Sequence, residues 1–63
     1  MQKGLIDEIT KEIEAMGYRL TLEKDDISQR WKWQIGYMWG DGAHPTELDA
    51  AEAALKWLKE RGE

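Results

Sequence analysis

The sequence predicts an α+β domain in which two helices cover one face of a small antiparallel sheet. Three observations carry this fold class. Residues 30–39, RWKWQIGYMW, alternate large apolar side chains (Trp31, Trp33, Ile35, Tyr37, Trp39) with Arg30, Lys32, Gln34, Gly36 and Met38. Such strict alternation, rich in aromatics, belongs to a strand with one buried and one wet side. Before and after it, apolar residues recur instead at helical spacing.

The first helix is expected over about residues 4–16. Leu5, Ile6, Ile9, Ile13 and Met16 form its apolar side, and Asp7, Glu8, Lys11, Glu12 and Glu14 fill the other. Asp7 and Glu8 are placed in its first turns, where a carboxylate favours the helix dipole. Gly17 suits the left-handed position that ends a helix. Tyr18, Leu20 and Leu22 then alternate with Arg19, Thr21 and Glu23, the pattern of a half-buried strand whose apolar side joins Trp31, Trp33 and Ile35.

Lys24 to Gln29 is a polar connection with Asp25-Asp26 as its turn chemistry. Gly36 interrupts the aromatic run, so two versions are open: one long second strand, or a second strand ending near Ile35 and a short third from Tyr37. Gly40-Asp41-Gly42 closes the run as a turn. Thr46-Glu47-Leu48-Asp49 resembles a capping box, with Pro45 just outside it, and opens a second helix that runs to about Arg61 and stops at Gly62. Leu48, Ala51, Leu55 and Leu58 are its core stripe. Beside that runs a second stripe of Ala50, Ala53, Ala54 and Trp57, a width that predicts contact with both the sheet and the first helix. The order is α-β-β-(β)-α, and the sheet side away from the helices should carry Arg19, Thr21, Glu23, Arg30, Lys32 and Gln34.

Sixty-three residues make a single domain, 1–63. A chain this short buries only about 60% of its unfolded surface, so its four tryptophans are a large share of the core. Cysteine is absent, so packing alone must hold the fold. That absence, with no basic-then-apolar leader and no apolar run of membrane-spanning length, leads us to expect a cytoplasmic protein with no membrane contact. The formal charge of −4 is uneven: segments 1–16 and 44–63 carry −2 each, and 17–43 is neutral. Acidic helices disfavour a nucleic-acid partner, because phosphate neutralisation supplies most of that affinity.

The element order, the chain length and the run Ala50-Ala51-Glu52-Ala53-Ala54-Leu55 preceded by Gly40 and Gly42 resemble the double-stranded RNA-binding domain family. The W-x-W strand joined to a Thr-capped, Ala-rich helix is similar to small phage and bacterial reading frames of unknown role. The first resemblance implies the α-β-β-β-α fold and an RNA contact through lysines opening the second helix. This chain departs from the family there: residues 43–49, AHPTELD, hold no lysine. The family's function is therefore not carried over with its fold.

Residues able to do chemistry are few. Ser28 is the only serine and His44 the only histidine, and Gly40-Asp41-Gly42 lacks the spacing and lysine of a phosphate loop. His44 stands near Asp41 and Glu47, without metal-ligand spacing, and is read as a loop residue that caps or faces water. No enzyme, no cofactor and no metal site is expected. The aromatic row is read as core, with Trp39 the member most open to another role.

The expectation is a small non-enzymatic interaction or accessory module that binds another protein or itself, of unknown process. Its candidate contact residues are Trp57, Ala50, Ala53, Ala54 and Trp39. The alternative is a nucleic-acid-binding module whose face is Arg19, Arg30 and Lys32.

Overall fold

The computed structural model describes residues 2–40 and 42–62, with side chains for 4–40 and 42–61. Helix α1 spans Gln2–Ala15, strand β1 Leu20–Lys24, strand β2 Trp31–Ile35, strand β3 Met38–Trp39 and helix α2 Glu47–Gly62. The third strand is present, so the version with a break at Gly36 is the one the chain adopts. The sheet is antiparallel throughout, in the order β1-β2-β3. Residue Asp41, and with it the centre of the expected Gly40–Gly42 turn, lies outside the described residues.

Helix α1 starts two residues earlier than its spacing predicts, which moves Asp7 and Glu8 beyond the first turn and leaves that turn without an acid. Its end follows the expected glycine cap. Gly17 takes φ +92°, its N–H donates to the Glu14 carbonyl at 2.9 Å, and the Tyr18 N–H reaches the Ile13 carbonyl at 3.2 Å. This pair of bonds is the Schellman arrangement. It consumes the Tyr18 backbone donor, so β1 starts only at Leu20 and Tyr18 stands outside the strand that its alternation suggested.

Cross-strand partners share a face, and the register sets Leu20 opposite Ile35 and Leu22 opposite Trp33. The apolar sides of β1 and β2 therefore coincide as the alternation predicts. Asp25 closes the six-residue connection between them: its N–H donates to the Arg30 carbonyl at 2.8 Å, and its carbonyl accepts from Gln29 N–H at 2.8 Å. Gln29 adopts φ +61°, and its side-chain amide donates to the Asp26 carbonyl at 2.7 Å.

Both helices pack against the sheet and against each other. Ile9, Ile13, Trp33, Ile35, Ala50, Ala51, Ala54 and Leu58 form the buried core. Leu5 and Met16 lie at the margin of the α1 stripe and are exposed. On α2 the alanines take the deepest positions, because a methyl lets the helix axis approach sheet and α1 together. Thr46 caps α2, its Oγ1 accepting the Asp49 N–H at 3.1 Å, and Ala50 N–H begins the helical ladder on the Thr46 carbonyl at 3.1 Å. Among the described residues only this half of the capping box is made. Glu47 and Asp49 in the first turn of α2, and Lys59 and Arg61 in the last, complement its dipole. No helix among the described residues is long and apolar enough to cross a membrane.

Candidate functional site

The hairpin between β2 and β3 decides which aromatic residues are structural and which face water. Ile35 pairs with Met38, leaving Gly36-Tyr37 as a two-residue loop. Gly36 has φ +60° and Tyr37 does not have a positive φ. This is the type II′ pattern, which places glycine first and matches the twist of the flanking strands. The turn reverses the alternation. Met38 now shares the helix-covered side with Ile35, and Trp39, opposite Gln34, shares the helix-free side with Gln34 and Thr21. The sequence reading put Trp39 on the same side as Trp33, and the turn overturns that. Tyr37 occupies the loop tip and is 100% exposed, so it too leaves the predicted core row.

The Gly36 N–H donates to the Arg19 carbonyl at 3.2 Å, extending the ladder by one step and bringing the Tyr18 segment alongside the hairpin tip. The last turns of α2 arrive at the same end. Tyr18, Ile35, Met38, Trp57, Leu58 and Arg61 line a hollow of about 190 Å³ there. Ile35 and Leu58 are buried, whereas Tyr18 and Met38 are each 49% exposed. Arg61 is the one charge in this lining among the described residues, and its guanidinium carbon lies 4.7 Å from the centroid of the Trp57 ring. A cation over an indole face is held in place by the ring quadrupole, worth about 0.5–1 kcal/mol where water has access.

Trp57 faces the sheet rather than α1. Its ring centroid is 5.3 Å from that of Trp33, at an interplanar angle of 50°. Ala50 and Ala54 are fully buried, so they can touch no partner, and Ala53 and Trp57 are only partly exposed. The alanine stripe therefore packs between the sheet and α1, as the width of the apolar face predicts. The further expectation that Ala50 and Ala54 are contact residues does not hold, because both are fully buried. Of the expected contact residues, Trp39 alone is largely open, at 49%.

The basic residues do not gather. Arg19 lies at the hairpin end, whereas Arg30 and Lys32 lie toward the opposite end. Lys32 sits opposite Glu23, four steps from Arg19 along the strand, or roughly 13 Å at a strand rise of about 3.3 Å. The Lys32 Nζ is also 4.0 Å from Asp25 Oδ2, in a shallow recess shared with Glu23 and Lys24. The face is thus mixed in sign. Asp25 accepts the Ile27 N–H at 2.8 Å and the Ser28 N–H at 3.4 Å on one oxygen. These two backbone bonds, with a smaller contribution from Lys32, hold its carboxyl below the usual aspartate range against a slight opposing effect of desolvation.

His44 does not cap α2. It forms a two-bond antiparallel bridge with Trp31, donating N–H at 2.8 Å and accepting at 2.7 Å. Continuing the β2–β3 register would set residue 42 opposite Trp31, so the chain holds two extra residues before it rejoins the sheet. The His44 Nε2 is buried and without a hydrogen-bond partner among the described residues. A second hollow, of about 220 Å³, lies between His44, Trp33, Ala53, Lys56, Trp57 and Glu60. Among the described residues no three His, Asp or Glu side chains gather as a metal site. The Ser28 Oγ accepts the Arg30 N–H at 3.3 Å, and among the described residues no hydrogen bond ties it to His44. Its expected neighbour Asp41 lies outside the described residues.

Tyr18, Tyr37, Met38 and Arg61 were not singled out from the sequence as surface residues. The signal that could have found them is the two-residue spacing of Gly36-Tyr37 between apolar Ile35 and Met38, with glycine in the first position. No family model matches the chain, and no curated protein or solved structure matches it either.

Proposed function

We propose that this chain is a small non-enzymatic module that docks on another protein through the hairpin end of its sheet. One observation carries the reading: Tyr18, Tyr37, Met38 and Trp39 stand half to fully exposed at a single end of a molecule whose core is thin. Grouped exposed apolar residues mark interaction surfaces. Tyr, Trp, Met and Arg are also the types enriched where partners bury surface, and Arg19 and Arg61 border this group. Trp57 takes part from the flank of α2, whereas Ala53 lines the separate hollow beside His44. A cytoplasmic setting fits the absence of cysteine.

A second reading is nucleic-acid binding. Its motivation is the placement of Trp39 on the helix-free side beside Gln34 and Thr21, where an unpaired base could stack. The element order is also compatible with the double-stranded RNA-binding topology. Against it stand the separation of Arg19 from Arg30 and Lys32, their acidic neighbours, and the net charge of −4.

The test is a photo-reactive phenylalanine analogue placed at Tyr37 or, as a control, at Lys11 on the far face. In cells, discrete protein adducts from position 37 that vanish in a Met38→Ser, Trp39→Ser background support docking. The same adduct pattern from both positions removes it. Salt-sensitive binding of single-stranded DNA, lost in Trp39→Ser, would put the second reading first.

A further inference from the structure

We propose that the hollow at the hairpin end is an anchor pocket for an extended acidic peptide, which seats one apolar side chain between Tyr18, Met38 and Trp57 and sets a carboxylate on Arg61. This rests on the docking reading above and names its partner class. Four features converge on the same place.

The pocket has the size and lining of an anchor site. An apolar cavity of about 150 Å³ already takes up benzene, so a volume of about 190 Å³ holds one leucine- or phenylalanine-sized side chain. Its floor, Ile35 and Leu58, is dry and its walls are aromatic and thioether.

Among the described residues the sole charge in the lining is Arg61. Its position over the Trp57 ring sets the guanidinium at the rim, and among the described residues no carboxylate forms an ion pair with it. A planar fork of donors matches a carboxylate in two parallel hydrogen bonds. Charge complementarity therefore selects an acidic segment over a basic one.

The strand beside the pocket has open backbone groups. Ile35 and Met38 flank the loop, and Gly40 N–H donates to the Trp33 carbonyl at 2.9 Å. Bonded pairs thus fall at Met38 and Gly40, and the alternation of an antiparallel ladder turns the N–H and C=O of Trp39 to the free edge. Among the described residues strand β3 pairs with β2 alone and stands at the edge of the sheet. Residues 36–40, GYMWG, place no charge or proline on this edge, whereas the opposite edge carries Glu23 and Lys24. Charges and prolines are the usual guards against strand addition. Strand β3 is short, so Trp39 pairs with one residue of the peptide, and the pocket supplies most of the affinity.

A second copy of the chain is the competing occupant. A two-fold pairing through this end would set the same face, with its Arg61 guanidinium, against itself, so we favour the foreign acidic segment.

The experiment is an amide and indole NMR titration of the labelled full chain with two capped hexapeptides, one alternating leucine with glutamate and one leucine with lysine. The glutamate peptide is expected to shift Tyr18, Met38, Trp39 and the Trp57 indole, and the lysine peptide to bind about tenfold more weakly, the size of effect a charge-assisted contact gives. Arg61→Gln should lose most of that discrimination, and Arg61→Lys should restore part of it. Both variants alter an exposed position near the helix end, so folding is kept. Equal binding of the two peptides, shifts outside this end, or the same shifts on concentrating the protein alone would overturn the proposal. An adduct from position 37 without glutamate-peptide binding would leave the docking reading standing and remove only this inference. Failure of both removes both.

Discussion

The indole of Trp33 occupies the space in which a side chain at Gly40 would stand. A Cβ built on Gly40 runs into the ring carbons and the ring nitrogen of Trp33. Glycine is needed there for room rather than for an unusual backbone angle, and the same close approach seals the 4%-exposed Trp33 under β3. Gly40→Ala must therefore displace a ring that the core has no other place for. Overpacking of this kind costs about 1–3 kcal/mol, and a domain this small has only about 3–5 kcal/mol in total from its core. Urea unfolding should show Gly40→Ala largely destabilised, and an unchanged midpoint would mean that Trp33 has a second rotamer available.

The turn at Gly36 makes a sharper contrast between neighbours. Gly36 holds φ +60°, which costs a residue with a Cβ about 1–2 kcal/mol. Tyr37, one residue on, makes no buried contact. Gly36→Ala is expected to lower stability by roughly that amount, and Tyr37→Ser to leave it within about 0.5 kcal/mol. Should the two variants melt together, the II′ geometry and the exposure of Tyr37 would both be in error.

These two glycines also explain how much could be read in advance. The helices and the sharing of one sheet face by Leu20, Leu22, Trp33 and Ile35 follow from periodicity, because period and burial agree there. The hairpin did not follow, since a glycine inside an alternating run fits a bulge as well as a turn, and a two-residue turn exchanges the faces of everything after it. That exchange moved Trp39 to the helix-free side. The bridge between His44 and Trp31 was illegible for a different reason: it joins residues across an irregular segment with no periodic signal of its own. Ala50 and Ala54 fit both a packing face and a contact stripe in the sequence, because small residues carry no mark that separates a contact surface from the tightest point of a core.

Ala54 tests that last point. It is fully buried where α2 meets the core. Ala54→Leu adds atoms to a filled space and should cost about 1–3 kcal/mol by chemical denaturation. On an exposed stripe the same change would be neutral or slightly stabilising, since leucine is a good helix former.

Asp25 gives the fold an acid-sensitive loop. Backbone donors from Ile27 and then Ser28, with Lys32 nearby, stabilise its ionised form and lower its folded pKa. A depressed carboxyl contributes stability that is present above its unfolded pKa and is lost as pH falls through the folded value. The contribution should thus be whole at neutral pH and fade only in the acid range below the ordinary aspartate pKa. Side-chain carboxyl NMR shifts followed against pH should place the Asp25 midpoint below the ordinary aspartate value. In Asp25→Ala the acid limb of the stability curve should flatten. A midpoint at or above the ordinary aspartate value would show that the Asx-type bonds do not persist in solution.

Trp57 serves the core and the hollow at once, which allows its two roles to be measured separately. On one side its ring meets Trp33 at 5.3 Å, and on the other it carries the Arg61 guanidinium at 4.7 Å. Tilted aromatic pairs are worth about 0.5–1.5 kcal/mol beyond the area they bury. A double-mutant cycle using Trp33→Leu and Trp57→Leu should return a coupling energy of that size. Arg61→Gln, by contrast, removes only a contact open to water, so its stability loss should stay below about 1 kcal/mol. A coupling near zero would mean that the two indoles merely neighbour each other, and the wall of the hollow would then be free to move. A large stability loss in Arg61→Gln would make the arginine a structural clamp on Trp57, with its hydrogen-bond donors no longer available to a ligand.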